Sequence, residues 1–371
     1  MQTATARLPL GGFVQAPLGV VREHLWLLGL VLAYVLAGAL LAWSHGALSR
    51  MSLTLYFDRL LVRYALCMVI VGLGYLLHLV VVVRPKALLL TLGNDLRRLL
   101  MPERLLAAGL VLSVLPIFIS TFTSIKVLIP MVRPFDWDAA FMAWDLWLHG
   151  GRHPWEILQP LLGRPMVSQA LNMIYHLWFF VLYGIVCWQA LSRSNPLLRM
   201  QFFLSMLLAW ALLGSLAATV FSSAGPCYFS QVTGLPDPFA PLMAYLQAAN
   251  ESHRIWALDV QDALWQGYQD GVIGPGLGIS AMPSMHVGAV ILSLLLGWRT
   301  HRVLGWALAL FASLTFLGSV HLGWHYAIDG YAAVLGTLGI WYAVGWLLRR
   351  DRYFGTERRA AARPAIAALE T

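Results

Sequence analysis

The run Val303–Leu322, VLGWALALFASLTFLGSVHL, decides the fold. It holds no Asp, Glu, Lys or Arg and is as long as the ~20 residues an α-helix needs to cross a bilayer. Hydrocarbon offers no partner for open backbone, so such a run reads as a spanning helix. Behind it come Gly323-Trp324-His325-Tyr326-Ala327-Ile328-Asp329, and a further apolar run opens at Tyr331. A histidine and an aspartate four residues apart share a helix face. The carboxylate can therefore hold the imidazole, fix its tautomer and strengthen it as a nucleophile.

Working outward, the same pattern recurs. Mean hydropathy is +0.70 and charged residues make up 11% of the 371, against about 25% in a soluble domain. That excludes an ordinary soluble enzyme. Eight spans are read: Leu25–Trp43, Leu61–Val83, Leu105–Ser124, Val167–Leu191, Phe202–Phe221, Pro283–Trp298, Val303–Leu322 and Tyr331–Leu348. The sixth is short. The first, preceded by Arg7 and Arg22, reads as an uncleaved signal-anchor. The expectation is an all-α polytopic membrane protein of about eight transmembrane helices. Residues 1–103 form an N-terminal helix pair. Residues 104–349 form a six-helix catalytic bundle with outward loops 125–166 and 222–282. Residues 350–371 form a basic tail. The ends of the chain read as mobile.

An even number of spans puts both termini on one side. That side carries 17 of the 25 Lys and Arg residues, and the other carries 8 despite its longer loops. The positive-inside rule makes the basic side cytoplasmic. The tail then reads as a topology signal touching anionic lipid heads rather than nucleic acid. Richness in Ala, Leu and Arg suggests a bacterial source. The expected location is an inner membrane, with the site facing the periplasm or outside. Cys67 and Cys187 fall within spans as packing residues and Cys227 lies in an outward loop, so neither a disulfide nor a metal site is read.

Two further motifs accompany His325 and Asp329. Ser280-Ala-Met-Pro-Ser284-Met-His286 opens the sixth span, and Lys126-Val-Leu-Ile-Pro-Met-Val-Arg133-Pro134 follows the third. Counting spans places all three on the extracytoplasmic face. Two histidines, one carboxylate and two cations suit phosphoryl transfer. The motifs resemble the type 2 phosphatidic acid phosphatase superfamily, whose patterns are K-x6-R-P, P-S-G-H and S-R-x5-H-x3-D. Lys126, Arg133 and Pro134 match the first. Met285 replaces Gly in the second, and Gly318-Ser319 replaces Ser-Arg in the third. The wording Ala-Met-Pro-Ser-Met-His and His-Tyr-x-x-Asp is closer to the inositol phosphorylceramide synthase branch.

The resemblance, over roughly Leu105–Leu348, implies roles. His325 attacks phosphorus and forms a phosphohistidine, and Asp329 orients it. His286 serves as general acid and then base. Lys126, Arg133 and Ser284 bind the phosphate, helped by amides at the start of the sixth span. No metal or other cofactor is called for. The missing Arg favours a phosphodiester monoanion over a monoester dianion, unless Arg152, Arg164 or Arg254 folds in to replace it. The implied activity is lipid phosphotransfer, with phospholipid or another lipid phosphate as substrate. A lipid phosphate phosphatase is the alternative, and a non-catalytic transporter or scramblase the second.

Each candidate also has a structural reading. His325 with Asp329 could be an interface pair, and Lys126 and Arg133 could be snorkelling span ends. His321, Ser319, His176 and Gly278 are further candidates for lining the site. Against that, His321 reads as an interfacial histidine beside Trp324, His176 as hydrogen-bonded to a neighbouring span, and Gly278 as part of a flexible loop. The trio Asp136, Asp138 and Asp145 fits no ligand spacing and reads as a solvated interfacial face. The aromatic and polar mixture of Lys126–Pro165 predicts short helices lying in the interface. The segment Ser222–Met282 is too long to be a mere connector.

Overall fold

The computed structural model describes residues 18–351, 353 and 354. Residues 1–17 and most of the tail 350–371 lie outside them, as does the mobility read for the ends. Among the described residues every regular element is helical. The helices are α1 (Leu25–Ser44), α2 (Phe57–His78), α3 (Leu88–Leu99), α4 (Pro102–Val132), α5 (Asp138–Leu148), α6 (Pro154–Leu162) and α7 (Pro165–Leu191). There follow α8 (Pro196–Leu208), α9 (Phe229–Thr233), α10 (Ala240–Ser252), α11 (Trp256–Gln269), α12 (Met285–Thr300), α13 (Arg302–His321) and α14 (Ala327–Arg350).

Seven helices are long and apolar enough to cross a membrane: α1, α2, α4, α7, α8, α13 and α14, with α2 and α8 counted through their extensions to Val83 and Val220. The chain is an integral membrane protein. The eighth expected span is α12, apolar but only 16 residues long. At 1.5 Å per residue it rises about 24 Å, short of the hydrocarbon thickness. His286 lies in its first turn.

Helix α12 packs on both α13 and α14, α13 also on α7, and α14 on α8. Helix α4 closes the group against α7. The N-terminal pair splits: α1 lies along α4 and α8, and α2 lies against α7. Small residues allow the close crossings. A Cβ at Gly288 would stand 3.2 Å from the Thr337 hydroxyl, and one at Gly345 would run into the Gln201 side chain. Helix α8 widens into a π-helical stretch, Ala209–Ala217, before closing at Val220. That stretch brings Gly214 against Met285, where a Cβ would meet the sulfur at 3.1 Å.

At the end of the bundle away from the motifs, α1 is tied down by charge. Glu23, His24 and Arg199 are all buried. The Arg199 guanidinium donates to Glu23 at 3.1 Å, to His24 Nε2 at 2.8 Å and to the carbonyls of Gln189, Ala107 and Ala190. Arg193 donates to the other Glu23 oxygen at 2.6 Å. His24 accepts at Nε2, so its Nδ1–H donates to the Val20 carbonyl at 2.7 Å. All five guanidinium directions suit this fork of acceptors.

Removing one partner of such a pair leaves a buried charge uncompensated. Glu23→Ala is expected to lower stability by about 3–5 kcal/mol. Glu23→Met combined with Arg199→Met is expected to lower it by clearly less. The thermal unfolding midpoint in detergent checks both.

Candidate functional site

The turn between α13 and α14 holds the central pair. His325 Nδ1 lies 3.2 Å from Asp329 Oδ2, and both side chains are buried. The i, i+4 relation comes from the first turn of α14. Tyr326 is its N-cap, and its amide donates to the same Asp329 oxygen at 3.1 Å. Asp329 thus caps its own helix while holding the histidine. Burial lowers the His325 pKa to about 3, the nearby Lys126 ammonium adds to this, and the Ala281 carbonyl opposes it. The imidazole is neutral at neutral pH. In the tautomer whose Nδ1–H donates to Asp329, Nε2 carries the free lone pair.

His286 stands opposite, in the first turn of α12, its ring centroid 6.2 Å from that of His325. Reacting atoms approach to about 3–3.5 Å before bond formation, so the gap suits one phosphoryl group between the two rings. Tyr175 stacks on His286 at 4.5 Å and 15°, and Trp178 meets its edge at 4.6 Å. Ser284 caps α12, its hydroxyl accepting from the Val287 amide at 3.4 Å. Its own amide donates to the Asp329 carbonyl at 3.1 Å. The second and third motifs are therefore joined through backbone, and Ser284 is fully buried at that joint.

His286 and His325 lie in the wall of a cavity of about 310 Å³. Its lining runs along α7 from Tyr175 to Val186 and takes in Phe118, Phe122 and Lys126 from α4 and Trp210 and Gly214 from α8. Eleven residues of helix amount to about 16 Å of depth, roughly one leaflet of hydrocarbon. Tyr56, Leu60 and Tyr64 close another side. The second helix of the N-terminal pair is thus part of the chamber. The Tyr56 hydroxyl accepts from the Gly276 amide at 2.6 Å and from the Thr123 hydroxyl at 3.2 Å.

Among the described residues Lys126 is the one Lys or Arg in that lining, which contains no described Asp or Glu. Gly278 fixes its place. With φ of +92°, Gly278 lies so close that a Cβ would stand 3.1 Å from Lys126 Cγ and 3.2 Å from the Val127 amide nitrogen. Arg133 is not brought in. It pairs with Asp136 at 3.1 Å, lies over the Trp137 ring at 5.7 Å, and is absent from the cavity wall. Arg254 pairs with Asp259, and Arg152 reaches the Glu156 carbonyl. None of Arg152, Arg164 and Arg254 lines the chamber.

The remaining candidates divide. His176 lines the cavity, but its Nδ1 meets the Asn172 carbonyl of its own helix at 2.8 Å rather than a neighbouring span. Ser319 turns its hydroxyl to the Phe316 carbonyl, while its own carbonyl accepts from the amides of Trp324 and His325. His321 is fully buried, 2.8 Å from the Ser168 hydroxyl and outside the cavity wall, so it is not an interfacial side chain. The reading of the aspartate trio needs correction. Asp136 is exposed, but Asp138 and Asp145 are 0% and 2% exposed and accept hydrogen bonds. Sequence reasoning also missed Tyr175, Trp178 and Tyr56. Tyr175 and Trp178 flank His176, the one signal that pointed to this helix face.

A family model described as PAP2 superfamily matches residues 139–343. The match covers more than half of the chain, and the protein belongs to that superfamily. Comparisons with curated proteins and with solved structures returned no match. Membership supports a lipid phosphatase or phosphotransferase type of activity on lipid phosphates. The matched residues exclude Lys126 and the walls from α2 and α4.

Two outcomes follow. Because His325 resists protonation when folded, the unfolded chain takes up a proton that the native one refuses below the usual value of 6.5. Stability is complete above that value and falls as pH drops toward 3, by about 2 kcal/mol at pH 5. The fall in thermal midpoint between pH 7 and pH 5 should therefore be smaller in His325→Gln than in the native protein. Gly278→Ala places a Cβ on the Lys126 backbone at a strained φ and is expected to reduce turnover at least tenfold while the protein still folds, as judged by gel filtration.

Proposed function

We propose that this protein is a membrane lipid phosphotransferase working through a phosphohistidine. One observation carries the reading: two facing histidines and a single lysine sit at the polar end of a deep, aromatic-walled chamber. A lipid's chain occupies the chamber and its phosphate lies between the rings. His325 Nε2 attacks phosphorus, and Asp329 accepts the Nδ1–H bond that strengthens as the ring becomes cationic. His286, which must carry its second proton when the phosphate anion arrives, gives that proton to the leaving alkoxide and is left neutral. In the second half-reaction, neutral His286 removes the proton of an incoming hydroxyl, which attacks phosphorus and releases His325.

The charge count favours one donor class. A phosphodiester carries one negative charge, which Lys126 alone can balance. A monoester dianion would place a second negative charge there, which among the described lining residues only a protonated histidine such as His286 could offset, and an imidazolium so paired is the weaker acid toward the leaving group. Head-group transfer from a diester to a lipid or polyol hydroxyl, as in the inositol phosphorylceramide synthase-like reading, fits this better than hydrolysis of a monoester. Arg133 could join Lys126 as a phosphate ligand only by leaving Asp136. The excess of Lys and Arg on the opposite side supports an extracytoplasmic site and cytoplasmic termini. No step calls for a metal.

Turnover of the purified protein, with EDTA present, should be measured against phosphatidic acid, a prenyl diphosphate, phosphatidylinositol, and ceramide with phosphatidylinositol. The expected result is a new phospholipid without free phosphate, abolished in His325→Ala. Free phosphate from a monoester or diphosphate, lost in the same variant, would make the enzyme a phosphatase. Activity indifferent to His325 would remove the phosphohistidine altogether and restore the transporter or scramblase reading.

A further inference from the structure

The helix α5 runs beside the catalytic turn and is built with two faces. Asp138, Phe141 and Asp145 are buried on one, while Trp144 and Trp147 are 49% and 81% exposed. A buried carboxylate needs hydrogen-bond donors, and here backbone supplies them. Asp145 Oδ2 accepts from the Ala327 amide at 2.7 Å and Oδ1 from the Ile328 amide at 3.0 Å. These are the first two residues of α14, whose orphan amides form the positive end of the helix dipole. Asp138 Oδ1 accepts from the Tyr326 hydroxyl at 2.9 Å and the Gly225 amide at 2.8 Å, and Oδ2 accepts from the Ala224 amide at 2.9 Å.

Three consecutive residues, Tyr326, Ala327 and Ile328, are thus held by one neighbouring helix. His325 precedes them and Asp329 follows. The loop at Gly225 is locked as well: its φ is +101°, and a Cβ would stand 2.6 Å from the Trp324 carbonyl. Burial pushes both carboxyls up, while the amides they accept from pull them down.

We propose that Asp138 and Asp145 are positioning residues that set the distance and angle between His325 and its phosphorus target by clamping residues 326–328 from outside. The inference rests on the phosphoryl-transfer reading above. Neither aspartate is itself among the residues lining the chamber, so Asp145 acts through the backbone of the turn and Asp138 through the Tyr326 hydroxyl. The exposed Trp144 and Trp147 give α5 an anchor in the membrane interface, against which the clamp can bear. A displacement of about 1 Å at a reacting centre can reduce rate by about 100-fold.

The test uses full-length protein in nanodiscs and two probes, orthovanadate and inorganic phosphate. Vanadate accepts the His325 nitrogen as a fifth ligand and so reads its geometry, whereas phosphate reads charge alone. In Asp145→Asn one oxygen can no longer accept, and vanadate affinity should fall at least tenfold while phosphate affinity changes less than twofold. Faster hydrogen exchange should be confined to the amides of residues 326–329, and Asp145→Glu should recover part of the vanadate affinity. Tyr326→Phe removes only the hydroxyl bond to Asp138 and should weaken vanadate three- to fivefold. It carries the test if Asp145→Asn does not fold. Vanadate binding unchanged in these variants but lost in His325→Ala would overturn the clamp and leave the reaction standing. Equal weakening of both probes, with exchange raised throughout the bundle, would reduce the two aspartates to general stabilisers and overturn it too. Vanadate binding indifferent to His325→Ala would instead sink the phosphoryl-transfer reading.

Discussion

The structure depends on satisfying the backbone of one short turn. Between α13 and α14 the chain leaves the helix, yet it stays buried among apolar spans where an open amide has no water to turn to. Every amide from Trp324 to Ile328 finds an acceptor. The Ser319 carbonyl takes two, Asp329 takes one and Asp145 takes two. The same bonds that make the turn possible fix His325 and Asp329, so the stability of this turn and the geometry of the site are one arrangement.

From that turn the rest of the site follows by contact. The Asp329 carbonyl receives the Ser284 amide, which sets where the short helix α12 begins and so where His286 stands. The Ala281 amide is held by the Ser223 carbonyl, and the loop running back through Gly278 lies on Lys126. The two long outward loops are therefore brackets. The first holds the catalytic turn through Asp138 and Asp145, and the second bears on Lys126 of α4 through Gly278 and holds the approach to α12 through Ala281.

The chamber below the histidines has a different physical origin. Aromatic side chains from α2, α4, α7 and α8 wall it, and the π-helical stretch of α8 supplies a glycine where Met285 comes close. The histidines and Lys126 lie in the wall near the catalytic turn, while the lining along α2 and α7 is mostly apolar and aromatic, with the hydroxyls of Tyr64 and Tyr183 among it. A substrate that is charged at one end and greasy along the other matches that division. The buried ion pair of Glu23 and Arg199 at the far end holds α1 to the same bundle.

The sequence by itself determined the spans, the helical class, the end of the bundle at which the motifs meet and the pairing of His325 with Asp329. Those features are periodic or local: apolar run length, span parity and an i, i+4 spacing need no knowledge of neighbours. Only the tertiary structure decided that Lys126 enters the cavity while Arg133 turns to Asp136, and that His321 is spent on Ser168. It alone showed that Ser284 is a helix cap, that α2 walls the chamber, and that Asp138 and Asp145 face inward. The places of His321, α2, Asp138 and Asp145 turn on partners more than a hundred residues away along the chain, whereas the Arg133–Asp136 pair and the Ser284 cap are contacts three residues apart that win over longer-range alternatives. An aspartate on an amphipathic helix has the same sequence signature whether it meets water or the open amides of another helix.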